Sequence, residues 1–227
     1  ILKMNKYYKI KNIIFLIIVI ITSNNLIISQ NAEEAELLLN KVSENIKSYD
    51  NIYINYSYTL TNLEEDINQT NKGSFVTEGD KWKFVMLGVT RIFDGEKLYT
   101  ISPDDEEVTI STQNPDDEST ITPNKMLYFY EEGYNFEMDI IQYVGRKKIQ
   151  FVKLIPMDSD AEIKYILLGI DVEFNQIYKV IETGINDTQT TIAIVDFEVN
   201  LPLEESLFVF DREKYFEELN YYENIID

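Results

Sequence analysis

The sequence predicts a mainly β domain of the α+β class, with one amphipathic helix ahead of about ten antiparallel strands. Three observations predict it. Residues 31–49 carry apolar side chains at three- and four-residue spacing, whereas most of the chain beyond them alternates with period two. Tyr (16) and Phe (12) are abundant while Gly (8) and Pro (5) are sparse, which suits strands. One helix cannot cover so many strands, so the sheet must close or curve strongly to hide its apolar face. Such a sheet is a candidate container for an apolar ligand.

The first 29 residues read as a cleaved secretory signal peptide, or else as an uncleaved N-terminal anchor. Lys6, Lys9 and Lys11 precede the apolar run Ile13–Ile21, and the polar stretch "TSNN" ends it. A bilayer-spanning helix needs about 20 apolar residues, and this run is shorter. Ile1-Leu2-Lys3 ahead of Met4 reads as an over-extended start.

The helix "NAEEAELLLNKVSENIKSY" (31–49) aligns Ala35, Leu38, Val42, Ile46 and Tyr49 on one stripe. Asn31 and Glu34 have capping-box spacing, and Glu33, Glu34 and Glu36 suit the first turn's dipole. In "IYINYSYTL" (52–60), Ile52, Ile54, Tyr56, Tyr58 and Leu60 share one face. A short strand follows at 73–77, and "KWKFVML" (81–87) places Trp82, Phe84 and Met86 together. Residues 91–93 and 97–101 form a hairpin turning at Asp94-Gly95, and 107–111 add a strand. Residues 114–123 are a loop and 124–132 a short helix. Further strands are expected at 138–144, 147–155, 162–173, 177–183, 188–199 and 206–210, with turns at Gly145-Arg146, Phe174-Asn175 and Gly184–Asp187. In the strand at 188–199, Ala193, Val195, Phe197 and Val199 should face one way and Ile192, Ile194, Asp196 and Glu198 the other. Without a repeat or a Gly/Ser linker, residues 30–212 read as one domain, followed by an acidic, aromatic tail at 213–227.

The chemistry is bounded as much by what is missing. The chain has no His and no Cys, which removes the Ser-His triad, thiolate nucleophiles and the usual zinc sites. A formal net charge of −20 repels phosphate backbones, so no nucleic-acid partner is expected. The acidic groups Asp104–Glu107 and Asp116–Glu118 lack the ligand spacing of a calcium loop and read as solvated turns. No enzyme activity, metal or cofactor is expected.

Five stretches, taken in order, resemble the periplasmic outer-membrane lipoprotein carrier family, the LolA-like proteins. They are "LLLNKVSENIKSYDNI" with "NYSYTL"; "GSFVTEGDKWKF"; "FDGEKLYTISPDDEEV"; the late strand pair within 163–200; and "ESLFVFD". Each is weak alone, and together they span residues 32–212. The resemblance implies an incomplete, strongly curved antiparallel β-barrel with helices covering the concave face. It implies a non-catalytic carrier that shields the acyl chains of lipoproteins between the inner and outer membranes. Acylated lipoproteins, an inner-membrane lipoprotein-releasing transporter and an outer-membrane acceptor would be its partners, and the carrier would be a periplasmic monomer. The alternative on the same scaffold is a periplasmic module that senses lipid or lipoprotein and regulates a membrane-bound partner. Better-known members carry a lid-holding Arg in the loop corresponding to "VTEGDKW"; here that loop has Glu78 and Asp80, with Lys81 as the nearest cation.

On this reading Tyr56, Tyr58, Phe75, Trp82, Phe84, Met86 and Leu98 line the concave face, or else pack a filled core. Met126, Leu127 and Phe129 line the lid, or else belong to an ordinary packing helix.

Overall fold

The computed structural model describes residues 31–112 and 127–226. The expected signal peptide, the loop at 114–123 and the start of the short helix at 124–126 lie outside the described residues. Helix α1 occupies 31–47. Six strands follow: β1 (Asn51–Asn62), β2 (Ile67–Glu78), β3 (Lys81–Met86), β4 (Val89–Phe93), β5 (Lys97–Ser102) and β6 (Glu107–Thr112). A helical turn at 127–128 leads to β7 (Tyr134–Val144), β8 (Lys147–Pro156), β9 (Ile163–Asp171), β10 (Gln176–Gly184) and β11 (Gln189–Val199). A 3-10 helix (Glu205–Phe208), a π-helical turn (Glu213–Glu218) and β12 (Tyr222–Ile226) end the described chain.

All twelve strands form one open sheet in the order β12-β6-β5-β4-β3-β2-β1-β11-β10-β9-β8-β7. Two antiparallel meanders, β1–β6 and β7–β11, meet at the β1–β11 seam. Every pairing is antiparallel except β12 on β6. The sheet is the strongly curved, unclosed antiparallel sheet that the sequence predicts.

Helix α1 presses Ala35, Leu39, Val42 and Ile46 into the main core, against Ile52, Ile54 and Tyr56 of β1 and the inward residues of β8 and β9. Leu39, rather than Leu38, completes the fully buried stripe; Leu38 is half-buried beside it. Asn31 does not cap the helix, because it is itself helical. Its side-chain amide donates to the carbonyl of Met138 and accepts from the Met138 N–H, tying α1 to β7.

Four expectations need correction. Strand β2 starts at Ile67, not at 73, because its polar first half pairs with the full length of β1. Strand β7 starts at Tyr134, so Tyr134, Phe136 and Met138 alternate toward the core. In β11 the expected faces are wrong. Asn55 pairs with Asp196 but Tyr56 pairs with Ile194, which leaves Val195 as the extra residue of a β-bulge. The bulge flips the alternation, so Ile192, Ile194, Phe197 and Val199 all pack on the core while Val195 points to solvent. The fourth concerns 206–210, which is no strand: Leu207 and Val209 donate to carbonyls three residues back, at Glu204 and Ser206. The ladder position beside β6 is filled by β12 instead.

Beyond residue 212 the chain packs on the outer face of the sheet. Ile92, Ile101, Val108 and Ile110 form a second cluster, covered by Phe210, Tyr215, Phe216 and Tyr221. On β5, Leu98 belongs to the inner core whereas Tyr99 and Ile101 belong to this outer one, as strand alternation requires. Phe210 stacks on Tyr99 at 4.5 Å and on Tyr215 at 5.5 Å.

Candidate functional site

The curved sheet and its helical cover leave a cavity of about 340 Å3 on the concave side. Its floor comes from the seam: Ile54 and Tyr56 of β1 beside Ile192, Ile194 and Phe197 of β11. Phe75 of β2 extends one wall, and Ile166 of β9 with Ile177 and Val180 of β10 extends the other. Leu127 and Phe129 roof it from the segment before β7, and Tyr134 stands at the start of that strand. The bulge at Val195 makes this floor possible, since it aims both halves of β11 inward.

The roof is pinned to α1. The hydroxyls of Ser43 and Tyr130 share a buried hydrogen bond of 3.0 Å, and Lys47 pairs with Glu131 at 3.0 Å on the surface. Phe129 meets both Tyr130 and Tyr134 edge-on. These contacts hold lid to helix without an arginine.

Polar groups on the cavity wall are few. The Tyr56 hydroxyl donates to the carbonyl of Val85 at 2.8 Å, and its ring stacks on Phe84. Burial raises the Tyr56 hydroxyl's pKa, so it stays a neutral donor. Glu182 of β10 is the charged member of the lining, in step with Val180 two residues earlier. Burial pushes its carboxyl above the usual glutamate range. Tyr134 is raised by burial first and by the Glu182 charge second.

Of the residues singled out from sequence, Tyr56, Phe75, Leu127 and Phe129 line the cavity. Trp82, Phe84 and Leu98 are buried in the continuous core beyond it, with Trp82 packed 6.1 Å from Phe93. Tyr58 and Met86 are half-buried against that core. Met86 and Phe84 also edge a separate shallow depression beside Leu87 and Arg91. Met126 lies outside the described residues. Sequence reasoning missed Tyr134, Ile166, Val180 and Glu182, which alternation within the late strands would have placed once their inner face was known, and Ile177, which a bulge in β10 turns to the same side. It had no way to place Ile194 and Phe197 on one face of β11, which depends on the bulge.

A helix laid across the concave face of an open antiparallel sheet, with a second helical turn beside it, is the architecture implied by the ordered motifs. The fold is an open, curved antiparallel sheet with a helical cover on its inner face. No protein-family model matches the chain, and no curated protein matches it. Solved structures do. An uncharacterized conserved protein from Thermus thermophilus superposes with a TM-score of 0.51 at 7% identity, covering 85% of this chain and 98% of that one. A domain assigned to outer membrane lipoprotein sorting from Vibrio parahaemolyticus gives 0.42 at 12% identity, with 83% and 99% covered. A LolA superfamily protein from Nitrosomonas europaea gives 0.39 at 10% identity, with 78% and 98% covered. The first of these likenesses bears on the fold alone.

The size of the cavity sets a scale for what it can hold. A water takes roughly 30 Å3 in the liquid, a methylene is of similar size, and so the space holds about a dozen carbons. That is most of one acyl chain and far short of two or three.

Proposed function

We propose that this protein is a non-catalytic periplasmic carrier that shields the acyl chains of lipoproteins in transit between the inner and outer membranes. The observation that carries the reading is the apolar cavity between the β1–β11 seam and the Leu127–Phe129 roof. The ordered motifs in the sequence supply the cargo class. Shielding about ten methylenes is worth roughly 8 kcal/mol, enough to keep an acylated protein soluble. A roof of Leu and Phe makes only non-directional apolar contacts, which suit chains of different shape.

The test uses protein beginning at residue 30. It is added to inner-membrane spheroplasts bearing labelled native lipoproteins, and the supernatant is assayed for a soluble complex. A one-to-one complex is expected. If several native lipoproteins all stay with the membrane, the carrier reading is wrong.

A further inference from the structure

Glu182 is out of place in an acyl-chain container. It projects from β10 into the same cavity as Val180 and Ile177, and it is the charged side chain among the lining residues. Its register neighbours are Ile166 on β9 and Thr190 on β11, neither of them a cation. Tyr134 faces it from β7. Among the described residues Glu182 has no hydrogen-bond or ion-pair partner. The nearby strand cations are engaged elsewhere: Lys164 pairs with Asp187, while Lys153 and Lys179 lie over the rings of Tyr165 and Tyr178. A half-buried carboxylate on an apolar wall without a partner carries an unrelieved desolvation cost.

A ligand can relieve that cost if it brings a cation to the right place. A fatty acid does the opposite, since its carboxylate would meet Glu182 at close range. We infer that the cavity selects an apolar chain whose polar end carries a protonated amine, held against Glu182 with Tyr134 alongside. This rests on the carrier reading and narrows its cargo. Within a lipoprotein, the group with that chemistry is the free α-amino group of a diacylated N-terminal residue, a few bonds from the chains. An ethanolamine headgroup carries the same chemistry. Burial already holds the Glu182 carboxyl above its ordinary range, and a facing ammonium would draw it back down.

The experiment compares a synthetic diacylated lipopeptide bearing a free α-amine with its N-acetylated twin, binding each to the full exported chain by calorimetry. Phosphatidylethanolamine and its N-acetylated form make a second pair. The free-amine lipopeptide should bind at least about tenfold tighter than its twin. In Glu182→Gln that preference should vanish, while binding of the acetylated twin stays level or improves. Equal binding of the twins to the native chain overturns the amine inference and leaves the carrier reading standing, as does a preference that survives in Glu182→Gln. Binding by neither lipopeptide nor phospholipid overturns both. A Glu182-dependent preference seen with phosphatidylethanolamine and not with the lipopeptides supports the amine site and removes the lipoprotein as its source.

Discussion

The hydroxyl end of the Tyr56 ring lies against Gly73. A Cβ added at Gly73 would sit 2.3 Å from the Tyr56 Cζ and 2.5 Å from the Val85 carbonyl oxygen. The glycine is therefore needed for space, and it lets Tyr56 cross β2 to reach β3 and form part of the cavity floor. Gly73→Ala should destabilise the protein by about 2–3 kcal/mol, as overpacking a fixed contact does. Tyr56→Phe, which loses only the bond to Val85, should cost about 1 kcal/mol. Urea unfolding of the two variants checks the order, and a Gly73→Ala cost below that of Tyr56→Phe contradicts the account.

The Asp94 turn should make stability pH-dependent. Burial acts to raise the Asp94 carboxyl, but N–H donors of Lys97 and Glu96 and the Tyr99 hydroxyl outweigh it, and the net shift is downward. A carboxylate depressed in the folded state stabilises above its unfolded pKa, and that contribution fades as pH falls through the folded value. Asp94→Asn should therefore lower the Tm at pH 7 and converge on the native Tm in acid. A constant gap across the titration would show that the charge is not involved.

The outer cluster predicts a role for residues 213–226. Phe210 joins Tyr99 to Tyr215, and Arg212 pairs with Glu223 of β12 at 2.6 Å. Phe210→Ala should cost about 2–3 kcal/mol, somewhat less than a fully buried Phe. Ending the chain at residue 212 should expose Ile92, Ile101, Val108 and Ile110 and cause aggregation. Light scattering of the truncated protein measures this directly. A soluble, equally stable truncated protein would leave the tail without structural purpose.

Roof opening should depend on Tyr130. The Lys47–Glu131 pair is exposed and worth little. The Ser43–Tyr130 bond is buried, and losing it leaves a polar atom unsatisfied. Tyr130→Phe should speed release of a bound acyl probe several-fold by stopped-flow, and Lys47→Ala should barely change it.

Trp82 is a poor reporter of ligand, because it is 3% exposed and packed on Phe93 beyond the cavity. Its emission should be blue in the empty protein and unmoved by lipid. A tryptophan introduced by Phe129→Trp, in the roof, should shift when an acyl chain enters.

Much of the scaffold was legible because alternation is local. The pattern Ile52-Ile54-Tyr56 names the inner face of β1 without any knowledge of its partners, and the Asp94-Gly95 turn declares itself in two residues. The misses are all non-local. Val195 looks like one more inward residue until Asn55 and Tyr56 skip over it across the seam. "LFVF" reads as a strand until Phe208 is found buried beside β3 and Phe210 on the outer face. The cavity divides in the same way. Tyr56 and Phe75 stood out as aromatics on early strands, whereas Glu182 carried no signal of its own until its neighbours were placed.

The β1–β11 seam also governs when the container comes into being. Its partners, Ile52 and Val199, stand at nearly opposite ends of the domain. Pairing so remote in sequence closes slowly and late. Until it closes, β1–β6 and β7–β11 are two separate ribbons, and the cavity floor they share does not exist. In that interval the inner faces of both ribbons are exposed apolar surface, with no interior to shelter anything.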